Sequence, residues 1–231
     1  MHLLIIVAGG NGERMHSKSN KIFLKINKKP ILYWTLNQCQ KSSTIDEIIV
    51  STREVDIETV RSLIDAFAFT KVKEVVSASN SRQESTHKIL EQLKDRLNEM
   101  DVVGVHNAVN PFVSEEELEK VFIEAELNKA ALLAQPARDT VKITNGNGEV
   151  SHTPLRAQTW YAQTPQAAQF RYLLAAFRKA KEDGFLGTDE TQLLELIGVK
   201  AKIVPCSNQN FKITFPEDLV LAKQVMKDFQ G

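Results

Sequence analysis

Hydrophobic positions along this chain follow two alternating rhythms. Short, nearly continuous apolar runs at residues 3–8, 47–51, 72–77, 102–106 and 131–136 predict β-strands. Between them, residues 32–40, 57–67, 86–97 and 118–127 repeat their apolar positions at helical spacing and predict helices. Ser81 with Glu84, Ser114 with Glu117 and Thr214 with Glu217 show the spacing of an N-terminal capping box, the last with Pro216 inside the first turn. Strand and helix alternating in this way predict an α/β fold: a mostly parallel twisted sheet flanked by helices, with ligands bound outside the carboxyl ends of the strands. Four loops fall at such ends, residues 8–21, 78–85, 106–110 and 138–142.

One stretch leaves this rhythm. Residues 139–144 alternate in β fashion, Asn145-Gly146-Asn147-Gly148 is a turn sequence, and residues 149–153 return. The expectation is a single domain over residues 1–231, with residues 137–160 projecting from it as a β-hairpin arm. Two strands alone bury too little apolar surface to stand free, so the arm packs either on a second subunit or back on its own domain. The pattern alone favours neither.

The 231 residues are 42% hydrophobic and 25% charged, an ordinary globular composition. Twenty-nine basic and 29 acidic side chains cancel, which argues against general binding to nucleic acid or to an anionic membrane. Cys39 and Cys206 belong to no Cys/His cluster and read as buried thiols of a reducing compartment. No apolar run approaches the ~18 residues of a membrane span, and the expected location is the cytoplasm.

Against that balance, residues 14–29 hold six cations (Arg14, Lys18, Lys21, Lys25, Lys28, Lys29) and no acid. They follow the first strand and its glycine turn, Gly9-Gly10-Asn11-Gly12. Such a turn aims backbone N–H groups beyond the sheet edge, and its missing Cβ atoms admit a phosphate, so the pairing suggests a polyanionic ligand. The same residues also describe an ordinary tight turn with a solvated basic stretch. The loop lacks the Gly-Lys-Ser/Thr ending of a P-loop, and Met15 stands where a dinucleotide fingerprint needs its third glycine.

Five polar segments at strand ends, residues 8–21, 79–85, 105–112, 136–142 and 210–214, occur in an order that resembles the 2-C-methyl-D-erythritol 4-phosphate cytidylyltransferases. Gln163-Thr164-Pro165-Gln166, Thr188-Asp189-Glu190 and the Lys-Ile-Thr-x-Pro-Glu-Asp-Leu run from Lys212 extend the resemblance nearly end to end. It implies transfer of CMP from CTP to a polyol phosphate with release of pyrophosphate, a reaction that depends on positioning and charge neutralisation.

By that resemblance, Arg14, Lys21 and Lys212 are the catalytic cations. Ala8, Gly9, Gly10, Gly12, Arg14, Lys21, Ser85 and Asn107 hold the nucleotide. Thr140, Arg156, Asn107, Asn110, Thr164 and Lys212 hold the acceptor. Thr140 and Arg156 come from the arm of a partner subunit, which implies a homodimer. Mg2+ is the implied cofactor, with Asn107 beside it and the CTP phosphates.

Two departures stand out. The family reads His-Asp-Ala-Ala/Val-Arg-Pro where this chain has His106-Asn107-Ala108-Val109-Asn110-Pro111, so an aspartate and an arginine have both become asparagine. The paired loss leaves the net charge unchanged. Ser79-Asn80 replaces a glycine pair. Open readings are a slower enzyme with the family's substrates, an enzyme for ribitol 5-phosphate or another polyol phosphate, and a nucleotide-binding paralogue without catalysis. Lys142 and Thr188-Asp189 look more like the methylerythritol type.

Overall fold

The computed structural model describes residues 1–10 and 20–229. The chain opens with β1 (His2–Val7), whose residues Leu3 to Ile6 are wholly buried. Leu4 and Ile6 face one hydrophobic cluster while Leu3 and Ile5 face another, as a central strand covered on both sides requires. A short hairpin, β2 (Lys25–Ile26) and β3 (Lys29–Pro30), leads into α1 (Ile31–Lys41). Then follow β4 (Glu47–Thr52), α2 (Ile57–Ala66), β5 (Val72–Ser77), α3 (Arg82–Leu93), β6 (Val102–Asn107), α4 (Glu115–Asn128) and β7 (Ala130–Pro136). The hairpin β8 (Ile143–Thr144) and β9 (Val150–His152) comes next, then β10 (Trp160–Gln169), α5 (Phe170–Glu182), α6 (Glu190–Glu195), β11 (Lys202–Pro205) and α7 (Pro216–Phe229).

Among the described residues, seven strands form one sheet in the order β11-β7-β10-β6-β1-β4-β5. Every pairing is parallel except those of β10, which runs antiparallel to both β6 and β7. Helices α1, α2, α4 and α7 bury Leu36, Val60, Phe122 and Met226 on one face. Helices α3, α5 and α6 bury Leu90, Phe177 and Leu194 on the other. Close packing against α4 explains Gly104 in β6: a Cβ there would stand 2.6 Å from the Phe122 ring. No helix among the described residues is long and apolar enough to cross a membrane.

The expected mostly parallel α/β sheet is present, with differences in detail. Helix α3 begins at Arg82, four residues before the expected start, because Ser81 caps it by accepting from the Glu84 N–H at 3.0 Å. Ser114 and Glu117 form a complete capping box. At α7 the expected Thr214/Glu217 pair is displaced by one residue. Pro216 is the first helical residue, so Asp218 occupies the third position, and its carboxylate accepts from the N–H groups of Thr214 and Phe215, each at 2.8 Å.

The hairpin is present, but its paired portion is shorter than residues 139–144 and 149–153. Pairing is confined to Ile143 with His152 and Thr144 with Val150, because the flanking residues have no second face to bury against. Asn145 Oδ1 closes the turn by accepting from the N–H groups of Asn147 and Glu149. Cys39 is buried as expected, but Cys206 is only half-buried. Burial pushes both thiols up to about 12, Cys206 with the help of the nearby Glu117 charge, so both are protonated at neutral pH.

Candidate active site

The carboxyl ends of β1, β4, β5 and β6 surround a cleft of about 790 Å³. The first wall is the backbone at Ala8, Gly9 and Gly10, immediately after β1. Ala8 is tied to the neighbouring strand through its N–H, which donates to the Ser51 carbonyl at 2.7 Å. Gly9 passes so close to β5's end that an added Cβ would lie 2.7 Å from that of Ala78. Glycine at this position therefore reflects crowding as much as access for a ligand. Gly12 and Arg14 lie outside the described residues.

Lys21 and Lys212 enter the same cleft from distant parts of the chain. Lys21 follows the buried Asn20 and donates from Nζ to the Ile213 carbonyl at 3.3 Å, which brings it alongside the Lys212 segment. Two cations within one recess raise the local positive potential of an otherwise neutral chain.

Asn20 is the buried anchor of this wall. Its Nδ2 donates to the Ala8 carbonyl at 3.0 Å and to Asp56 Oδ2 at 2.9 Å. Arg53, itself lining the cleft, donates to both oxygens of Asp56. Burial alone would raise the Asp56 pKa; the hydrogen bonds from Arg53 and Asn20, with the Arg53 charge, outweigh it and hold the carboxyl below its ordinary value.

The opposite wall is the loop from Ser79 to Ser85. Ser85 accepts from the Ser79 N–H at 2.8 Å and donates its hydroxyl hydrogen to the Ser81 carbonyl at 2.7 Å. Its hydroxyl thus holds the loop's shape, leaving one lone pair for a ligand. Arg82, which also lines the cleft, ties the loop down with two hydrogen bonds to the buried carboxylate of Glu190, at 2.6 and 2.7 Å.

The floor is built around Asn107, the last residue of β6, which lines the cleft and pairs in register with Val7. Behind it lies a group of polar side chains. Thr164 Oγ1 accepts from the Asn107 N–H at 3.2 Å and sits 2.9 Å from His106 Nδ1. His106 Nε2 is 3.1 Å from the Asn110 carbonyl. That carbonyl can only accept, so Nε2 carries the proton and Nδ1 accepts from Thr164. Burial pushes the imidazole down to about 4, with the Arg82 charge adding to the effect, and His106 is neutral at pH 7.

Asn107 Nδ2 donates to Asn110 Oδ1 at 3.1 Å. Where the resembled family carries an aspartate and an arginine, this chain therefore joins two neutral amides directly. Asn110 is wholly buried and Thr164 nearly so; neither lines the cleft, and both stand behind Asn107.

The structure thus brings Ala8, Gly9, Gly10, Lys21, Ser85, Asn107 and Lys212 to one recess. Thr140 and Arg156 are exposed on the arm and do not line the cleft of their own chain. Residues that the sequence did not single out include Asn20, Arg53 and Glu54; Asn210 lay in the named segment 210–214 but was given no role of its own. Asn20 follows a basic run and Arg53 follows a strand end, signals common in any α/β chain. Among the described residues, no cluster of three or more His, Cys, Asp or Glu side chains could hold a metal, and Glu54 is the single carboxylate of the cleft lining.

Comparison with known proteins agrees with this arrangement. The sequence model of the 2-C-methyl-D-erythritol 4-phosphate cytidylyltransferases matches residues 2–228. The protein of that name from Syntrophus aciditrophicus is 38% identical over 228 residues, covering 98% of this chain and 96% of its own. The one from Clostridium botulinum strain Loch Maree is 38% identical over 224 residues, covering 97% and 96%. Among solved structures, the 4-diphosphocytidyl-2C-methyl-D-erythritol synthase of Anaerococcus prevotii superposes with a TM-score of 0.84 at 30% identity, covering 98% of this chain and 96% of that one. The Francisella tularensis cytidylyltransferase gives 0.80 at 29% identity, covering 96% and 98%. With a match from end to end and the same sheet beneath the cleft, this chain belongs to the 2-C-methyl-D-erythritol 4-phosphate cytidylyltransferase family.

Proposed function

We propose that the cleft transfers CMP from CTP to 2-C-methyl-D-erythritol 4-phosphate. The observation that carries this reading is the convergence of the Ala8 to Gly10 backbone, Lys21, Ser85, Asn107 and Lys212 on one recess in a chain of this family. The acceptor's phosphate oxygen attacks the α-phosphorus of CTP in line. A new P–O bond forms as the bond to the β-phosphate breaks, and pyrophosphate leaves with the electron pair.

Lys21 and Lys212 neutralise charge that builds on the α-phosphate oxygens, with Arg14 joining them by the family resemblance. Backbone N–H groups at Gly9 and Gly10 cradle the phosphates. The Ser79 to Ser85 loop and Ala8 bracket the cytosine ring. None of these groups has to exchange a proton during the reaction, so their contribution is to hold the two phosphates at attack distance and to offset their mutual repulsion.

Mg2+ fits this donor set only as an ion that the triphosphate itself brings. Among the described residues Glu54 is the one carboxylate of the lining, and magnesium is ordinarily held by one or two carboxylates together with substrate phosphates and water. Asn107 would offer a neutral oxygen beside it. Bound there, the ion would offset phosphate charge.

The arm is proposed as the dimer contact. Ile143, Val150 and Leu155 are exposed on it, and Thr140 and Arg156 would then reach the acceptor phosphate of a second subunit.

The test is magnesium-dependent pyrophosphate release from CTP with 2-C-methyl-D-erythritol 4-phosphate, ribitol 5-phosphate or no acceptor. Release with the first alone is expected. Release with ribitol 5-phosphate instead would reassign the acceptor, and CTP binding without release in any arm would identify a non-catalytic paralogue. Sedimentation of the whole protein and of an Ile143→Asp/Val150→Asp variant tests the arm, with a dimer expected for the first and a monomer for the second.

A further inference from the structure

The polar group behind Asn107 has a direction that chemistry fixes. The Thr164 carbonyl oxygen is a backbone acceptor and cannot donate. Asn210, wholly buried, faces it at 3.0 Å and must present Nδ2. The Asn210 amide oxygen is then turned to Asn110, whose Nδ2 donates to it at 3.4 Å and to Gln163 Oε1 at 3.5 Å. Asn110 Oδ1 in turn receives Asn107 Nδ2 at 3.1 Å. Three primary amides run head to tail from one backbone carbonyl to the cleft floor. Turning any one of them over would set oxygen against oxygen or nitrogen against nitrogen, and at the wholly buried Asn110 and Asn210 no water is at hand to compensate.

We propose that Asn210 is a positioning residue: through Asn110 it fixes the Asn107 amide with its oxygen, not its nitrogen, facing the reactants. The cleft then presents an uncharged acceptor at the end of β6, suited to a hydroxyl group of a substrate or to a cation on the triphosphate. The consequence for rate rests on the cytidylyltransferase reading; the orientation itself does not.

The arrangement also explains why the two asparagines form a set with a third residue. A carboxylate at position 107 would face Asn110 Oδ1, acceptor against acceptor. Asn110 could turn over only by facing its own oxygen to Asn210 Oδ1, and Asn210 cannot follow while the Thr164 carbonyl holds it. The asparagine pair therefore cannot be reverted at position 107 alone.

The experiment is a two-residue cycle with Asn210→Ala and Asn107→Asp, read as kcat and as KM for CTP. Asn210→Ala should lower kcat about ten-fold, the equivalent of one lost buried hydrogen bond, with little change in KM. Asn107→Asp should also be slow, and adding Asn210→Ala to it should restore several-fold of the loss, because Asn110 is then released to turn. Losses that simply multiply would overturn the proposal, since a residue that only supports the fold has no reason to rescue.

A second measurement needs neither variants nor turnover. In the side-chain amide spectrum of the unmodified protein, the Asn107 carboxamide should show a proton protected from exchange. A carboxamide exchanging as freely as an exposed one would overturn the relay. Should the protein release no pyrophosphate with any acceptor, the functional reading fails while the spectrum still decides the orientation.

Discussion

Asn20 Nδ2 lies 3.0 Å from the carbonyl oxygen of Ala8, so the two residues that bracket positions 11–19 are joined by a buried hydrogen bond. The same amide donates to Asp56, and Arg53 locks that carboxylate from the cleft side. Replacing Asn20 with alanine should cost about 1–2 kcal/mol, because two buried acceptors lose their donor. It should also raise KM for CTP, since the wall carrying Gly9, Gly10 and Lys21 loses its anchor. Urea unfolding and steady-state kinetics check the two effects. A variant with unchanged KM would show that the bond serves the fold alone.

Arg82 and Glu190 form a two-point ion pair in which the carboxylate is 1% exposed and the guanidinium 31%. Arg82→Ala leaves that carboxylate buried without its cation and should destabilise the protein by about 3 kcal/mol, the lower end for a broken buried pair because the guanidinium keeps some solvent. Arg82→Met with Glu190→Leu removes both charges and should cost much less. Equal losses in the single and double variants would refute this account.

His106 sets an acid limit on stability. Its folded value is pushed down to about 4 from the ordinary 6.5. The unfolded chain therefore binds a proton that the folded chain refuses between those values, so unfolding becomes easier as pH falls through that window. The stability present above pH 6.5 should decline by about 3 kcal/mol on reaching pH 4. Asp56 and Asp101, also held below their ordinary values, add their own losses as they protonate in more acidic solution. Urea melts at intervals from pH 7 to pH 4 measure the slope. A flat profile would mean that the imidazole is charged, or hydrated, in the folded state.

Gly104→Ala should be disproportionately costly for the addition of one methyl. The new Cβ would meet the fully buried Phe122 ring, which has nowhere to retreat between α4 and the sheet. A loss of about 2–3 kcal/mol is expected, and Phe122→Leu on top of Gly104→Ala should recover part of it. Thermal unfolding of the three proteins provides the measurement.

The parallel part of the fold was legible because its strands are continuous apolar runs: Leu3 to Ile6 needs burial on both faces, and few structures besides a covered parallel strand provide it. β10 was not legible, since Gln163, Thr164, Pro165 and Gln166 interrupt its apolar pattern. β11 is four residues at the sheet edge, too short for a period to register.

In the site, glycines and lysines at strand ends gave their positions away through residue type and local charge excess. Asn20, Arg53 and Asn210 did not. Asn20 and Asn210 matter because they meet Ala8 and Asn110, 12 and 100 residues away in sequence, and such contacts leave no local pattern; Arg53 meets Asp56 only three residues on, but that spacing is common to many ion pairs and does not mark a cleft. The joint change at positions 107 and 110 was visible in sequence as a charge-neutral pair. Its third member at position 210 became visible only when the chain was folded.

Along β10, the register with β7 slips between Ala162 and Gln166: four steps on one strand answer two on the other. A perfectly regular ladder would engage the Thr164 carbonyl with a neighbouring strand and turn the Gln163 side chain by the strict alternation of the pleat. The irregularity instead leaves that carbonyl free to receive Asn210. A shortened β10, trimmed until its hydrogen bonds ran without interruption, would make a tidier sheet and a cleft floor whose amide had lost its compass.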